Sequence, residues 1–287
     1  MARFRLILSM VIMGTMGFFA KNIPLQSQTI AWGRAVLAAG AIGIYLLFSG
    51  KKMTATPSKK DVALLILSGV SLGLNYTFLF EAYQYIPYSV ATLCDYFAPV
   101  VVMVLSPVFL HEKITKRQLL CFVLATLGLA MLIGLFGGDT GGLNPYGVFI
   151  GLTGMLFYVP VMMINKVVQT VDALHRTLLQ FIAAAVVLTL VVPFSGGFDF
   201  SKMDIAGWTN LLIIGVVHTG ISFCMYFSAL PQLPGQEGAI LSYVDPMTAV
   251  LVSVLFMQER LGLTQMLGGG LLLVSTMANE VPIPKRK

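Results

Sequence analysis

The sequence predicts an all-α membrane protein whose ten transmembrane helices form two inverted five-helix repeats. Of its 287 residues, 57% are hydrophobic and only 10% are charged, and the mean hydropathy is +0.87. A soluble domain carries roughly a quarter charged residues. Apolar stretches of about 20 residues, the length that crosses a bilayer, recur along the chain, and one region repeats at an offset of 147 residues. The composition excludes a soluble enzyme, a disordered chain and a nucleic-acid-binding module, despite the net charge of +6.

The ten apolar stretches are separated by charged residues, proline, glycine and asparagine. The predicted helices are roughly 4–20, 29–48, 62–83, 89–110, 118–136, 146–164, 177–194, 205–230, 237–257 and 263–277. Their apolar runs are continuous rather than alternating, which favours helices over a membrane barrel. The first stretch is not followed by a good cleavage site, so we expect it to be a retained span. Three cysteines lie in apolar runs and are expected to be small buried side chains.

The basic residues predict the orientation in the inner or plasma membrane. If the N-terminus is cytoplasmic, the inside segments hold 14 of the 18 basic residues. The outside segments hold only Lys21, Lys202 and Arg260, and Arg34 lies within a span. Cytoplasmic loops are enriched in lysine and arginine. We therefore expect both termini in the cytoplasm and an even number of spans.

The internal repeat predicts the architecture. At the offset of 147, residues 82–113 align without gaps with residues 229–260, so that Tyr96 falls on Tyr243 and Pro99 on Pro246. Each copy ends in an acid–base pair, Glu112 with Lys113 and Glu259 with Arg260. The predicted halves are residues 1–138 and 139–287. Five spans per half is an odd number, so the halves insert in opposite directions. Such symmetry is typical of alternating-access transporters with a midplane site.

These features resemble the drug/metabolite transporter superfamily, and in particular its EamA-type ten-helix exporters. The resemblance rests on the ten spans, on the two halves, and on Pro99 followed by Glu112 and its copy, Pro246 followed by Glu259. The segment Trp32-Gly33-Arg34 in the second span is also similar to that family. The resemblance implies a secondary transporter of small metabolites without an ATP-binding part. It does not name a substrate.

Ionisable and aromatic residues inside the spans are the candidate site residues. Ionisable groups are costly in a membrane and usually face a cavity. Asp95 and Asp245 lie deep in the fourth and ninth spans, and Glu81 and Glu237 lie near span ends, where they could simply reach water. The predicted substrate-binding residues are Arg34, Tyr76, Phe80, Asp95, Tyr96, Tyr226, Ser242, Tyr243 and Asp245. Helix kinks are predicted at Pro99 and Pro246, because proline leaves a carbonyl without its donor.

Several roles remain open from the sequence. Arg34 could bind a substrate carboxylate, pair with Asp95 or Asp245 as a structural bridge, or extend to the headgroups. The candidates for proton coupling are Asp95, Asp245, His218 and Glu81, although a lone membrane histidine more often makes a structural hydrogen bond.

The favoured function is a secondary active exporter of small metabolites, most simply amino acids or related zwitterions, working by alternating access. The alternatives are an exporter of cationic amines or drugs, a passive channel and, more remotely, an intramembrane aspartyl enzyme. We expect no enzymatic activity, no cofactor, no metal and no nucleic-acid partner. The expected partners are a small-molecule substrate and the lipid bilayer, with a proton as a candidate coupling ion. A monomer is expected, with a dimer as the alternative.

Overall fold

The computed structural model describes residues 1–53, 56–109, 114–133, 135, 143–233 and 241–280, and within them the chain is helical and contains no strand. The helices are α1 (Ala2–Gly14), α2 (Met16–Ala20), α3 (Ser27–Ser49), α4 (Lys59–Ala82), α5 (Tyr88–Asp95), α6 (Ala98–Phe109), α7 (Lys116–Leu132), α8 (Pro145–Val167), α9 (Ala173–Val191), α10 (Ile205–Leu212), α11 (Ser222–Ala229), α12 (Val244–Leu255) and α13 (Leu263–Glu280). A π-helix (Ile213–Ile221) joins α10 to α11, and 3₁₀ turns follow α9 and α11.

Within the described residues, seven helical segments are long and apolar enough to cross a membrane. They are Ala2–Ala20, Ser27–Ser49, Lys59–Ala82, Tyr88–Phe109, Pro145–Val167, Ala173–Phe194 and Ile205–Ala229. The prediction of an all-helical membrane protein is therefore confirmed. The other three predicted spans correspond to α7, α12 and α13, which are shorter in the described residues. The predicted pair Glu112 with Lys113 lies outside the described residues, as does Glu237.

Local sequence signals set several helix ends. Ser58 begins α4 with a capping box, in which its hydroxyl accepts from the Asp61 amide and the Asp61 carboxylate accepts from the Ser58 amide. Thr115 caps α7 in the same way. Asn144 caps α8, and proline follows at the first helical position, where its missing N–H has no consequence. These caps provide hydrogen-bond acceptors for backbone N–H groups at the helix starts, which have no partner within the helix.

The packing of the helices mixes the two halves of the chain. Helix α4 packs against α8 and α9, and α3 packs against α9 and the π-helix. Helix α1 packs against α11 and α12, α5 packs against α8 and α12, and α7 packs along α13. The last pair is close because glycines face each other: a Cβ on Gly128 would lie 2.7 Å from the Gly268 carbonyl oxygen. Small residues allow such close backbone contact between membrane helices.

Candidate functional site

A cavity of about 600 Å³ lies among the helices of both halves. It is lined by Met10, Met13, Met16, Arg34, Asn75, Tyr76, Leu79, Tyr83, Tyr88, Thr92, Asp95, Tyr96, Pro99, Tyr158, Met162, His218, Phe223, Tyr226, Phe227, Leu230, Ser242, Tyr243 and Asp245. Most of the predicted site residues are among them. The cavity therefore collects side chains that lie as much as 235 residues apart in the sequence.

Two of the helix interruptions that border the cavity lie in the fourth and ninth predicted spans. The chain leaves regular helix between α5 and α6 at Tyr96, and again at Tyr243 before α12. These two positions correspond in the sequence repeat. The cause is local: Pro99 and Pro246 have no N–H to donate to the carbonyls of Asp95 and Ser242. The interruptions leave polar backbone and side chains together at the cavity wall.

The interruption at Tyr96 connects the two halves directly. The Tyr96 hydroxyl donates to Asp245 Oδ2 at 2.6 Å, and the rings of Tyr96 and Tyr243 are 6.4 Å apart between centroids. A hydroxyl that donates to a carboxylate forms a strong, short hydrogen bond. Asp245 is thereby held in one orientation toward the cavity.

Asp95 is held by an asparagine that the sequence analysis missed. Asn75 Nδ2 donates to Asp95 Oδ1 at 2.8 Å and to the Gly154 carbonyl at 3.1 Å. Asn75 is fully buried, and its Oδ1 has no hydrogen-bond partner in the part of the chain that the structure describes. Asparagine is not ionisable, so Asn75 was not among the predicted site residues. A single amide in the middle of the apolar α4 was the signal that could have found it.

Arg34 is buried, with 4% of its surface exposed. Its Nε donates to Thr219 Oγ1 at 2.8 Å, and its guanidinium carbon lies 3.8 Å from the centroid of the Tyr76 ring. Its Nη1 has no hydrogen-bond partner among the described residues. Among the described residues Arg34 makes no ion pair with Asp95 or Asp245, so the alternative of a structural bridge is wrong for this conformation. The hydroxyl of Thr219 and the face of the Tyr76 ring hold the guanidinium instead.

The π-helix positions His218 beside a break in the first span. Helices α1 and α2 are separated at Thr15, whose Oγ1 lies 2.8 Å from His218 Nε2. His218 Nδ1 lies 3.1 Å from the Ile213 carbonyl oxygen, and because a carbonyl only accepts, Nδ1 carries the hydrogen. The wider winding of a π-helix is frequent at functional sites. Here it places His218 at the cavity wall, and the neighbouring Thr219 is buried against Arg34.

Three predicted site residues lie away from this cavity wall. Phe80 is fully buried behind Tyr76, with its ring 6.3 Å from the Tyr76 ring, because the two residues are one helical turn apart. Pro246 is buried in the first turn of α12. Glu81 borders a separate pocket of about 540 Å³, where it accepts from Ser27 Oγ at 2.7 Å.

Glu81 also accepts a hydrogen bond from the loop residue Tyr85, whose hydroxyl oxygen is 3.3 Å from Glu81 Oε1. The negative charge of Glu81 raises the pKa of Tyr85, so this hydroxyl remains a donor. The two partners of Glu81 among the described residues are therefore neutral hydroxyl groups, one at the start of α3 and one in the loop after α4.

The sequence analysis missed the apolar part of the cavity wall. Met10, Met13, Met16 and Met162 line it, together with Leu79 and Leu230. Their spacing in the sequence is that of ordinary helix packing, and only the three-dimensional arrangement distinguishes a cavity wall from a core.

Together, the fold and the cavity define a class of protein. The chain is a multi-pass α-helical membrane protein with a polar and aromatic cavity at helix interruptions, which is where membrane transporters bind their substrates.

The chain belongs to the EamA-like transporter family, whose profile matches residues 2–134 and again residues 145–279. It is 28% identical over 265 residues to the uncharacterized transporter YxxF of Bacillus subtilis, covering 92% of this chain and 84% of that protein. It is 25% identical over 193 residues to the pseudopaline exporter CntI of Pseudomonas aeruginosa, covering 67% and 66%. A solved crystal structure matches with a TM-score of 0.65 at 16% identity, covering 97% of both chains. The chain is thus a membrane transporter and not an enzyme, and the likeness to the solved structure concerns the fold alone.

Proposed function

We propose that this transporter exports small zwitterions, most simply amino acids and related metabolites, by alternating access. One observation carries the proposal. Among the described residues, the buried side-chain atoms without a hydrogen-bond partner are Arg34 Nη1 and Asn75 Oδ1. One is a donor on a cation and the other is an acceptor beside a carboxylate, and both residues line the same cavity. A zwitterion supplies the missing acceptor and the missing donors at once.

The donor side of the site is Arg34. A buried donor without a partner costs about 1–3 kcal/mol, and a charged group costs more. Native proteins keep few such groups, so each one needs an explanation. Since Thr219 and Tyr76 already fix the guanidinium, Nη1 is oriented in advance for a carboxylate.

The acceptor side is built on Asp95, Asn75 and Asp245. An ammonium group has three donors and no acceptor. Asn75 Oδ1 is free to accept one of them, and the carboxylates of Asp95 and Asp245 border the cavity on either side of the Tyr96 interruption. This arrangement favours a substrate with both charges over a simple cationic amine, which would leave Arg34 Nη1 unpaired.

Alternating access by two inverted repeats, residues 1–138 and 139–287, is supported by the packing. The family profile matches the chain twice, and the helix interruptions occur at corresponding positions. Under the proposed repeat, α4 corresponds to α11, α8 to α1 and α7 to α13. The contact of α4 with α8 therefore has its counterpart in the contact of α11 with α1, and α7 packs against its own counterpart α13. Two halves related in this way could expose the cavity to either side by rocking.

A polar cluster joins the two halves at one end of the cavity. Lys21 Nζ donates to Glu259 Oε1 at 2.8 Å, and the Tyr88 amide donates to the same oxygen at 2.9 Å. Ser253 bonds the other carboxylate oxygen. The cluster ties the ends of α2, α5 and α12 together. In the orientation proposed from the basic residues, with both termini cytoplasmic, this end is the outer one, so the conformation is closed to the outside.

Transport by purified protein in proteoliposomes tests the function. The substrates are an amino acid, the amine that lacks its carboxylate and the N-acetylated acid that lacks its ammonium, each with and without a pH gradient. We expect saturable transport of the amino acid alone. In Arg34→Gln the KM for the amino acid is expected to rise at least tenfold, whereas Arg5→Gln, which removes the same charge at an exposed position, is the matched control.

The alternatives predict different outcomes. If the free amine is transported and Arg34→Gln does not impair that transport, the substrate is a cation and not a zwitterion. Flux that does not saturate and follows no gradient would indicate a channel. A dependence of uphill transport on the pH gradient would support proton coupling through Asp95 or Asp245.

A further inference from the structure

We propose that the substrate carries a bulky apolar side chain, which packs against a methionine-rich wall of the cavity. This inference rests on the proposed zwitterion site and adds the class of side chain that the site selects. Arg34 accounts for the carboxylate of the substrate, and Asn75 with the two aspartates accounts for its ammonium group. The remaining question is what fills the rest of the space.

The size of the cavity is the first observation. Cavities of roughly 300–1,000 Å³ hold drug-sized ligands, and this one has about 600 Å³. A glycine or alanine bound between Arg34 and Asp95 would leave most of that volume to water. A large side chain would fill it and would add buried apolar surface to the binding energy.

The chemistry of the wall is the second observation. Every side chain that α1 and α2 contribute to the lining is a methionine: Met10, Met13 and Met16. Met10 and Met13 share one face of α1 because they are three residues apart, and Met16 follows them on α2, beyond the break at Thr15. Met162 adds a fourth thioether from α8.

Aromatic rings on α11 complete this part of the wall. Phe223 and Phe227 both line the cavity, and their ring centroids are 5.8 Å apart in a T-shaped pair. Methionine is flexible and polarisable and makes favourable contacts with aromatic rings, so it adapts to apolar groups of different shapes. This wall suits aromatic, thioether and branched aliphatic side chains.

Hydrogen bonding argues in the same direction. The two orphaned buried atoms among the described side chains, Arg34 Nη1 and Asn75 Oδ1, are both assigned to the charged groups that all amino acids share. A charged substrate side chain against the thioethers would lose its hydration without compensation. The cavity is therefore expected to select substrates whose side chain is bulky and apolar.

A homologous series of substrates tests the inference in proteoliposomes. Alanine, 2-aminobutyrate, norvaline and norleucine share both charged groups and differ by one methylene at each step. Burying a methylene is worth about a fourfold gain in affinity. We expect KM to fall by about fourfold per step, and leucine, methionine and phenylalanine to compete better than serine, lysine or aspartate.

Adjacent methionines provide a matched pair of variants. Met162 lines the cavity, whereas Met163 packs against the hydrophobic core without lining it. Met162→Ser is expected to flatten the dependence on chain length and raise the KM for norleucine by about tenfold. Met163→Ser is expected to leave the slope unchanged. Monodisperse elution of each variant in detergent checks that it folds.

The outcomes separate this inference from the proposed function. If alanine and serine are transported as well as norleucine, or better, the zwitterion site stands and the apolar wall is not a specificity element. If alkylamines are transported without a carboxylate, or if no amino acid is transported, the proposed function fails and this inference fails with it.

Discussion

The ion pair between Lys21 and Glu259 is expected to hold one end of the cavity closed, and Glu259→Gln should open it. The carboxylate of Glu259 is only 10% exposed, and it accepts from Lys21 Nζ, from the Tyr88 amide and from Ser253. These partners belong to both halves of the chain. The substitution keeps an acceptor oxygen in the same place but removes the charge.

The magnitude follows from these contacts. Hydrogen bonds to a charged group contribute about 1.5–3 kcal/mol, compared with about 1 kcal/mol for neutral ones. The Lys21 side chain is 30% exposed, so solvent screens its part of the interaction. We therefore expect a net loss of about 1–2 kcal/mol, which changes the equilibrium between closed and open forms by a factor of about 5–30.

The assay is thiol labelling from outside intact cells. Cys94, Cys121 and Cys224 are buried and are first replaced by alanine. A single cysteine is then introduced at the cavity wall by Met16→Cys. With Glu259→Gln, labelling by a membrane-impermeant maleimide is expected to become about 5–30 times faster.

Two comparisons decide the result. Glu259→Asp keeps the charge and should fall between the wild type and Glu259→Gln. Unchanged external labelling in Glu259→Gln would refute the role of the ion pair in closure. An increase seen only from the cytoplasmic side would instead refute the proposed orientation.

Two further predictions concern packing and the position of the guanidinium. In Gly17→Ala, the new Cβ would lie 2.0 Å from the ring of the buried Tyr88. We expect the free energy of unfolding to fall by about 1–3 kcal/mol, with a lower melting temperature in detergent. The control is Gly40→Ala, whose Cβ would meet no atom within 4 Å and which should melt as the wild type does. In Thr219→Val, Arg34 Nε loses its acceptor, so the KM for a zwitterion should rise by about tenfold. Thr219→Ser keeps the hydroxyl and should have the KM of the wild type. Equal KM values for the two variants would show that this hydrogen bond does not position Arg34.

The sequence predicted the membrane class and most helix positions because a helix that crosses a bilayer must be continuously apolar. The predicted span at 29–48 corresponds to Ser27–Ser49, and the one at 205–230 to Ile205–Ala229. The helix interruption beside Asp95 could also be predicted, because proline leaves the carbonyl four residues earlier without its hydrogen-bond donor whatever surrounds it. Each of these signals is local in the chain.

The hydrogen-bond partners of the polar groups could not be predicted from such local signals. Asp95 could be recognised as a buried charge, but nothing in its neighbourhood indicated that Asn75, 20 residues earlier, would hold it. A pair with Asp95 or Asp245 was one of the roles left open for Arg34, yet Thr219, 185 residues away, is its hydrogen-bond partner. The sequence limited the choice of charged residues but not their pairing.

Hydropathy and proline act locally along the chain, so the sequence alone was enough to predict a helical membrane protein with a few charges in its spans. The transporter class followed from the internal repeat and the family resemblance. The tertiary structure alone decided which of those charges share a cavity and which polar atoms there lack partners. The physical reason is that a helix fixes which face a side chain occupies, whereas the neighbour that meets that face depends on the packing of helices distant in sequence. Arg34 Nη1 and Asn75 Oδ1 became candidate contacts for substrate only when that packing left both without a partner.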